Sequence, residues 1–265
     1  MRRLFVCAVL AVLPLASARA EPVTDLYRAE VLVTGERQET RDPALRQGFA
    51  DVMVKASGDP RLLTEGRLEA AFDPASVLTF SYRDLMAGIP KHDEQGTRDR
   101  PFVLTVDYAP DKIEAALAAL GRKIWPAERP RVLFLIGVEL GPSRFVITDE
   151  GEPGSLQRKA LLTSARRTGV PIVFPTKAMA AELTPDTLKA EEPGSFDALR
   201  TAAGADRVFI GNMRFSDEVL GWIAEWRLAD NGAVTRWGIS GVNFDEAFRQ
   251  AVRGTAQVLS GNGVP

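Results

Sequence analysis

A chain of 265 residues with 33 Lys+Arg, 35 Asp+Glu, one histidine and one cysteine carries a net charge of only −2. Charge this balanced and interspersed offers no basic footprint for nucleic acid or anionic lipid. One cysteine excludes an internal disulfide, and one histidine excludes His-rich zinc sites and almost all room for Ser-His-Asp catalysis.

The first twenty residues read as a cleavable signal peptide. Arg2 and Arg3 supply the positive start, Leu4 to Leu15 the apolar stretch, and Ala18-Arg19-Ala20 the small residues two apart that a signal peptidase accepts. Cleavage is therefore expected between Ala20 and Glu21. The apolar run falls short of the ~20 residues needed to span a bilayer, and no later run reaches that length, so no membrane span is expected in the mature chain. Cys7 lies inside the apolar stretch instead of after it, which argues against a lipoprotein. Cleavage removes Cys7 and three arginines, leaving 30 basic against 35 acidic residues. A periplasmic location follows from this reading.

Beyond the leader, residues 21–121 read as a β-α-β-β-α module. Leu26 to Val33 is a strand, and Gly35 to Thr40 a polar turn. Asp42-Pro43 has the form of an N-cap followed by proline at the first helical position. Leu45, Phe49, Val52, Met53 and Ala56 recur at helical spacing, and Gly58 stands where a left-handed C-cap belongs. A weaker helix covers Glu65 to Phe72. Val77 to Leu85 and Pro101 to Tyr108 are strands joined by the charged loop Lys91 to Arg100, and Asp111 to Leu120 is a helix. Residues 122–130, with Trp125-Pro126 and Arg129-Pro130, read as a linker.

Residues 131–265 form the second module. Val132 to Leu140 is apolar enough for a strand buried on both faces, with Phe145 to Thr148 as a candidate partner. A helix runs up to Gly169, Val170 to Phe174 is a short strand, and a loose helical region reaches Gly194. Ser195 stands as the cap of a helix ending at Gly204. Arg207 to Phe215 is a strand, and two more flank Asn231-Gly232, whose residues suit the positive φ angles of a two-residue hairpin turn. Asn243 and Glu246 make a capping-box-like start to the last helix, whose buried face is marked by Phe244, Phe248, Val252, Thr255 and Leu259. The expected fold class is α/β: two small mixed or antiparallel sheets with helices packed mainly on one face.

Candidate sites are few. With Asn231-Gly232 as the turn, Trp226 lies opposite Trp237, and Trp222 shares their face. The three rings suit either an aromatic platform for glycan or a cross-strand core pair, and the Leu and Ile on that face favour core. Glu225, Arg227 and Arg236 on the other face read as solvated. His92, in Lys91-His92-Asp93-Glu94, reads as a solvated loop tip. The sequence has no S-x-x-K, no G-x-S-x-G around Ser240 and no phosphate-binding G-x-x-x-x-G-K-S/T loop. No catalytic, cofactor-binding or metal-ligating residue is assigned.

Leu26-Tyr27-Arg28-Ala29-Glu30-Val31, Arg41 with Ala44-Leu45, and Val54-Lys55-Ala56-Ser57-Gly58 resemble the opening of a proteobacterial domain-of-unknown-function family, the one numbered twenty sixty-six. Trp125 with Glu128-Arg129-Pro130 fits its middle, and Ala205-Asp206-Arg207-Val208 with Trp222 and Trp226 its end. That resemblance implies export and no assigned activity. The last third, from Ala202 to Gly211 through the hairpin to the terminal helix, is similar to the amino-terminal domain of the Tol-system periplasmic protein, which implies docking. The function expected is a non-enzymatic periplasmic adaptor or binding module whose partner is another envelope protein. A glycan binder using its tryptophans and a carboxylate-dependent hydrolase are the alternatives, and no cofactor is expected.

Overall fold

The computed structural model describes residues 21–89, 92–93, 96–97 and 100–265, the pairs 92–93 and 96–97 by backbone alone. The expected signal peptide, with Ala18 and Ala20, lies outside the described residues, and so does the expectation that the His92 side chain is solvated. The strands are β1 (Glu21–Pro22), β2 (Arg28–Thr34), β3 (Val77–Asp84), β4 (His92–Asp93), β5 (Gly96–Thr97), β6 (Pro101–Tyr108), β7 (Glu128–Arg129), β8 (Val132–Leu140), β9 (Ser143–Val146), β10 (Ile172–Val173), β11 (Arg207–Ser216), β12 (Gly221–Asp230) and β13 (Ala233–Val242). The α-helices are α1 (Gln38–Ser57), α2 (Arg67–Ala70), α3 (Pro110–Ala119), α4 (Ser155–Thr168), α5 (Pro185–Ala190), α6 (Asp197–Ala202) and α7 (Phe244–Leu259). The fold is mixed α/β. No helix among the described residues is long and apolar enough to cross a membrane.

The first sheet is antiparallel, in the order β2-β6-β3. Strict alternation in β2 and β6 turns Ala29, Val31, Val33, Phe102, Leu104 and Val106 to one face, and α1 and α3 cover it. Helix α1 begins one turn before the expected Asp42-Pro43 start and takes Pro43 inside. Pro43 is the sixth helical residue, so its missing N–H removes one intrahelical bond. Gln38 Nε2 donating to Asp42 Oδ2 (3.2 Å) and Thr40 Oγ1 donating to the Arg37 carbonyl (2.9 Å) hold the extra turn. At its other end Gly58 adopts φ 70°, as the C-cap requires.

The second sheet has the path β10-β8-β11-β12-β13, with β9 also on β8. β8 runs parallel to β10 and β11, and β11, β12 and β13 form an antiparallel meander. Both faces of β8 are buried: Phe134, Ile136 and Val138 meet the core under α4 and α7, while Leu133 and Leu135 meet Leu188, Phe196 and Ile210. Asn231 (φ 47°) and Gly232 (φ 81°) make the expected turn, and Trp226 pairs with Trp237. Asn243 Oδ1 accepts from the Glu246 N–H at 2.8 Å as the α7 cap. Two local expectations fail. Ser195 is not a cap: it sits in a short 3-10 turn, where its hydroxyl donates to Glu191, and α6 starts after Phe196. Arg227 is not solvated either: its guanidinium donates to the Leu188 and Glu191 carbonyls and caps α5.

The segment between the sheets is anchored throughout. Trp125 is buried, and Arg129 has no exposed surface. Arg129 donates to the carbonyls of Pro126 (3.0 Å), Thr168 (3.2 Å), Gly169 (2.7 Å), Lys55 (2.7 Å) and Trp125 (3.4 Å), and its guanidinium lies 3.7 Å over the Trp125 ring. It therefore binds the C-terminal ends of α1 and α4 to one point. β1 runs antiparallel to β7 beside it. The chain end closes the same seam, with Ser260 Oγ donating to the Gly58 carbonyl (3.3 Å) and Asn262 Nδ2 to that of Ser57 (2.9 Å).

Arg129→Met is expected to lower stability by on the order of 3 kcal/mol, since four buried carbonyl contacts and one part-buried contact lose their donor; urea unfolding measures it, and a loss under 1 kcal/mol would refute the staple. Gly254 gives a second check. A Cβ there would lie 2.6 Å from the Trp237 indole, so Gly254→Val is expected to cost about 1–3 kcal/mol by overpacking, read from tryptophan emission during unfolding.

Candidate functional site

Three helices from distant parts of the chain meet along the seam, and their side chains wall a cleft. On α4, Leu156, Lys159, Ala160, Thr163 and Arg167 follow one another at helical spacing on one face. On α7, Asp245, Arg249 and Arg253 are four residues apart, beside Phe244. Helix α1 contributes Asp51 and Val54. Together they enclose a cavity of about 360 Å³. A second cavity, of about 340 Å³, lies towards the first sheet and shares Asp51, Thr163 and Arg167 with the first. Its other walls include Arg28, Lys55 and Arg166.

Cations outnumber acids in the first cavity, the second also holds Asp25 and Glu30, and the pairing of the cations differs. Lys55 is spent on structure: its Nζ donates to the Asp25 carbonyl (3.1 Å), the Arg28 carbonyl (2.9 Å) and Asp25 Oδ2 (3.2 Å), and burial holds its pKa below the usual lysine value against the pull of Asp25. Arg28 pairs with Asp107, and Arg249 with Glu246. Among the described residues, Arg167 and Arg253 make no hydrogen bond or ion pair. Arg253 is half-buried; burial lowers its pKa and the neighbouring Arg249 lowers it further. Asp51 faces these cations without touching them. Its Oδ2 is buried and has no hydrogen-bond partner among the described residues. Burial raises the Asp51 carboxyl above the ordinary aspartate value, more than Arg167, Arg253, Lys55 and Arg249 pull it down.

The tryptophans lie elsewhere, in the core under α7. Trp222 and Trp226 are 7% and 1% exposed, and Trp237 is partly buried. Gly211, opposite Trp226 in the ladder, leaves room for its ring: a Cβ there would sit 2.6 Å from it. Phe134 stacks on Phe209 at 4.2 Å, and Phe209 meets Trp226 and Trp237 at 5.6 and 5.8 Å. The indole N–H groups of Trp226 and Trp237 find no acceptor among the described residues, so both rings serve as apolar volume. Glu21, the first residue after the expected cleavage, pairs with Arg129 in the β1–β7 ladder. Among the described residues no three His, Cys, Asp or Glu side chains are grouped to hold a metal ion.

The distinctive Lys55-Ala56-Ser57-Gly58 motif is structural at every polar position. Lys55 pins the segment before β2. Ser57 Oγ donates to the Met53 carbonyl (2.7 Å) and accepts from the Asp59 N–H (3.1 Å). At Gly58 a Cβ would strike Ser260 at 2.5 Å. Sequence reasoning missed Arg167 and Arg253, although one signal existed. Neither has an acid three or four residues away on its helix, so neither charge is answered locally.

Residues 20–126 are similar to an uncharacterised family, matching the model of the Domain of unknown function (DUF8605). That span takes in the first sheet, α1 to α3 and the start of the connecting segment, and so contains Asp51 and Lys55 but not α4 or α7. No curated protein matches the chain.

Asp51 gives a pH test. Its folded pKa lies above its unfolded value of about 3.9, so the folded state holds the proton more tightly. The stability this confers is complete below about pH 4 and is lost as pH rises through the folded pKa. Asp51→Asn mimics the protonated acid, so the variant is expected to melt above the wild type at pH 7 and level with it near pH 4. A melting difference that stays constant from pH 3.5 to 8 would rule this out.

Proposed function

We propose that this chain is exported, loses residues 1–20, and acts on the periplasmic side as a non-enzymatic adaptor or binding module that contacts another envelope protein. The observation that carries the reading is the seam cleft, where Arg167 and Arg253 stand unanswered beside a buried carboxylate. Guanidinium groups left unpaired in a concave site are recognition elements, because each offers a fixed fork of donors to an incoming anion. Export is supported by Arg2, Arg3, the apolar stretch to Leu15 and Ala18-Arg19-Ala20.

The finer resemblances add to this from sequence alone. The family numbered twenty sixty-six implies export, and the likeness of the last third to the Tol-system amino-terminal domain implies docking. Glycan binding through Trp222, Trp226 and Trp237 draws less support, since the first two rings are packed in the core.

The test is cross-linking in intact cells, followed by purification of the tagged chain and mass spectrometry. One envelope protein is expected repeatedly, and its yield is expected to fall with Arg167→Glu. Recovery of abundant bystanders alone, or a tagged chain that fractionates with the cytoplasm and keeps residues 1–20, would overturn the reading.

A further inference from the structure

The cavity between α1, α4 and α7 has a chemical polarity that narrows its ligand. Lys159, Arg167, Arg249 and Arg253 supply four positive charges, against Asp51 and Asp245. Glu246, next to the cavity on α7, already pairs with Arg249. With Asp51, Asp245 and Glu246 all ionised, one unit of positive charge remains. A monoanion neutralises it, whereas a phosphate dianion overshoots and meets two carboxylates in the same wall. The remaining lining is apolar: Leu156, Ala160, Phe244 and Val54. A volume of about 360 Å³ is at the small end for a ligand site, room for one short chain or one terminal residue.

Resting on the reading of this cleft as a recognition site, we infer that the cavity binds an amphipathic monocarboxylate. Its carboxylate lies between Arg167 and Arg253, and its apolar body lies against Leu156, Ala160 and Phe244. The planar fork of each guanidinium matches a carboxylate in two-point contact. Neither arginine has to give up an existing partner to make that contact, so the full charge-assisted bond is available to the ligand. Asp51 opposes binding and sets its limit, because its carboxyl shares the cavity with the incoming charge. The same chemistry has two sources: a free small carboxylate, or the C-terminal residue of a partner polypeptide with an apolar side chain.

The experiment is calorimetric titration of the purified protein with octanoate, with octylamine as the cation of equal chain length, and with acetyl-Ala-Ala-Ala-Leu as free acid or C-terminal amide. Octanoate is expected to bind and to raise the melting temperature; octylamine is not. Arg167→Gln and Arg253→Gln are each expected to weaken octanoate about tenfold or more, and Asp51→Asn to tighten it. Arg167 is exposed and makes no bond among the described residues, so its variant keeps the fold and the test survives even if Arg253→Gln does not fold. Tight binding of the free-acid peptide and none of the amide would assign the site to a polypeptide terminus; octanoate alone would assign it to a small molecule. Equal binding of octanoate and octylamine, binding untouched by Arg167→Gln, or no binding of any probe would overturn the inference. The adaptor reading fails separately, by cross-linking, so a partner can be captured while the cavity binds nothing, or the reverse.

Discussion

One buried arginine organises this molecule. Arg129 has no exposed surface and, among the described residues, no carboxylate partner, and taking such a charge out of water costs several kcal/mol. Three things offset that cost. Five carbonyl groups accept from it, four of them within 3.2 Å and the fifth, that of the adjoining Trp125, at 3.4 Å. Lys55 and Thr168-Gly169 stand at the C-terminal ends of α1 and α4, where the helix dipole is negative. The Trp125 ring lies under the guanidinium and adds a cation–π contact. Burial lowers its pKa to about 10, so it stays charged at neutral pH.

The cleft is a consequence of that junction. Because the ends of α1 and α4 are tied together, the residues just before those ends become its walls. Asp51 lies one turn before Lys55, and Arg167 directly precedes Thr168. Helix α7 reaches the same place by a different route: its cap at Asn243 and its packed face of Ala247, Phe248, Ala251 and Val252 leave Arg249 and Arg253 on the side that meets α1 and α4. Neighbouring cations thus meet opposite fates. Lys55 and Arg129 are saturated with acceptors and hold the fold. Arg167 and Arg253 make no such bonds among the described residues.

The aromatic side of the molecule shows the converse. Trp222, Trp226 and Trp237 suggest a binding platform because tryptophans in strands are conspicuous in sequence. In the fold Gly211 and Gly254 open notches for two of these rings, and α7 closes over the third strand of the meander. Large rings packed against glycine notches form a shape-matched core, in which one added methyl group is felt.

Short-range chemistry was legible in the sequence. Gly58 and Gly169 had to end helices because a positive φ suits only glycine there, Asn231-Gly232 had to turn a hairpin, and the apolar run of β8 had to be buried on both faces. Each rests on contacts within a few residues. The misread details, Pro43 inside α1 and Ser195 outside α6, are also local, but there a competing neighbour won: Gln38 and Thr40 extended the helix, and Glu191 took the serine hydroxyl. Arg129 and the cleft belonged to another class. In sequence Arg129 is one charge in a proline-flanked segment, and Arg167, Arg253 and Asp51 are separated by 86 residues or more. Only tertiary packing decides which charges lose water and which carbonyls they meet, because both depend on elements that no local pattern brings together.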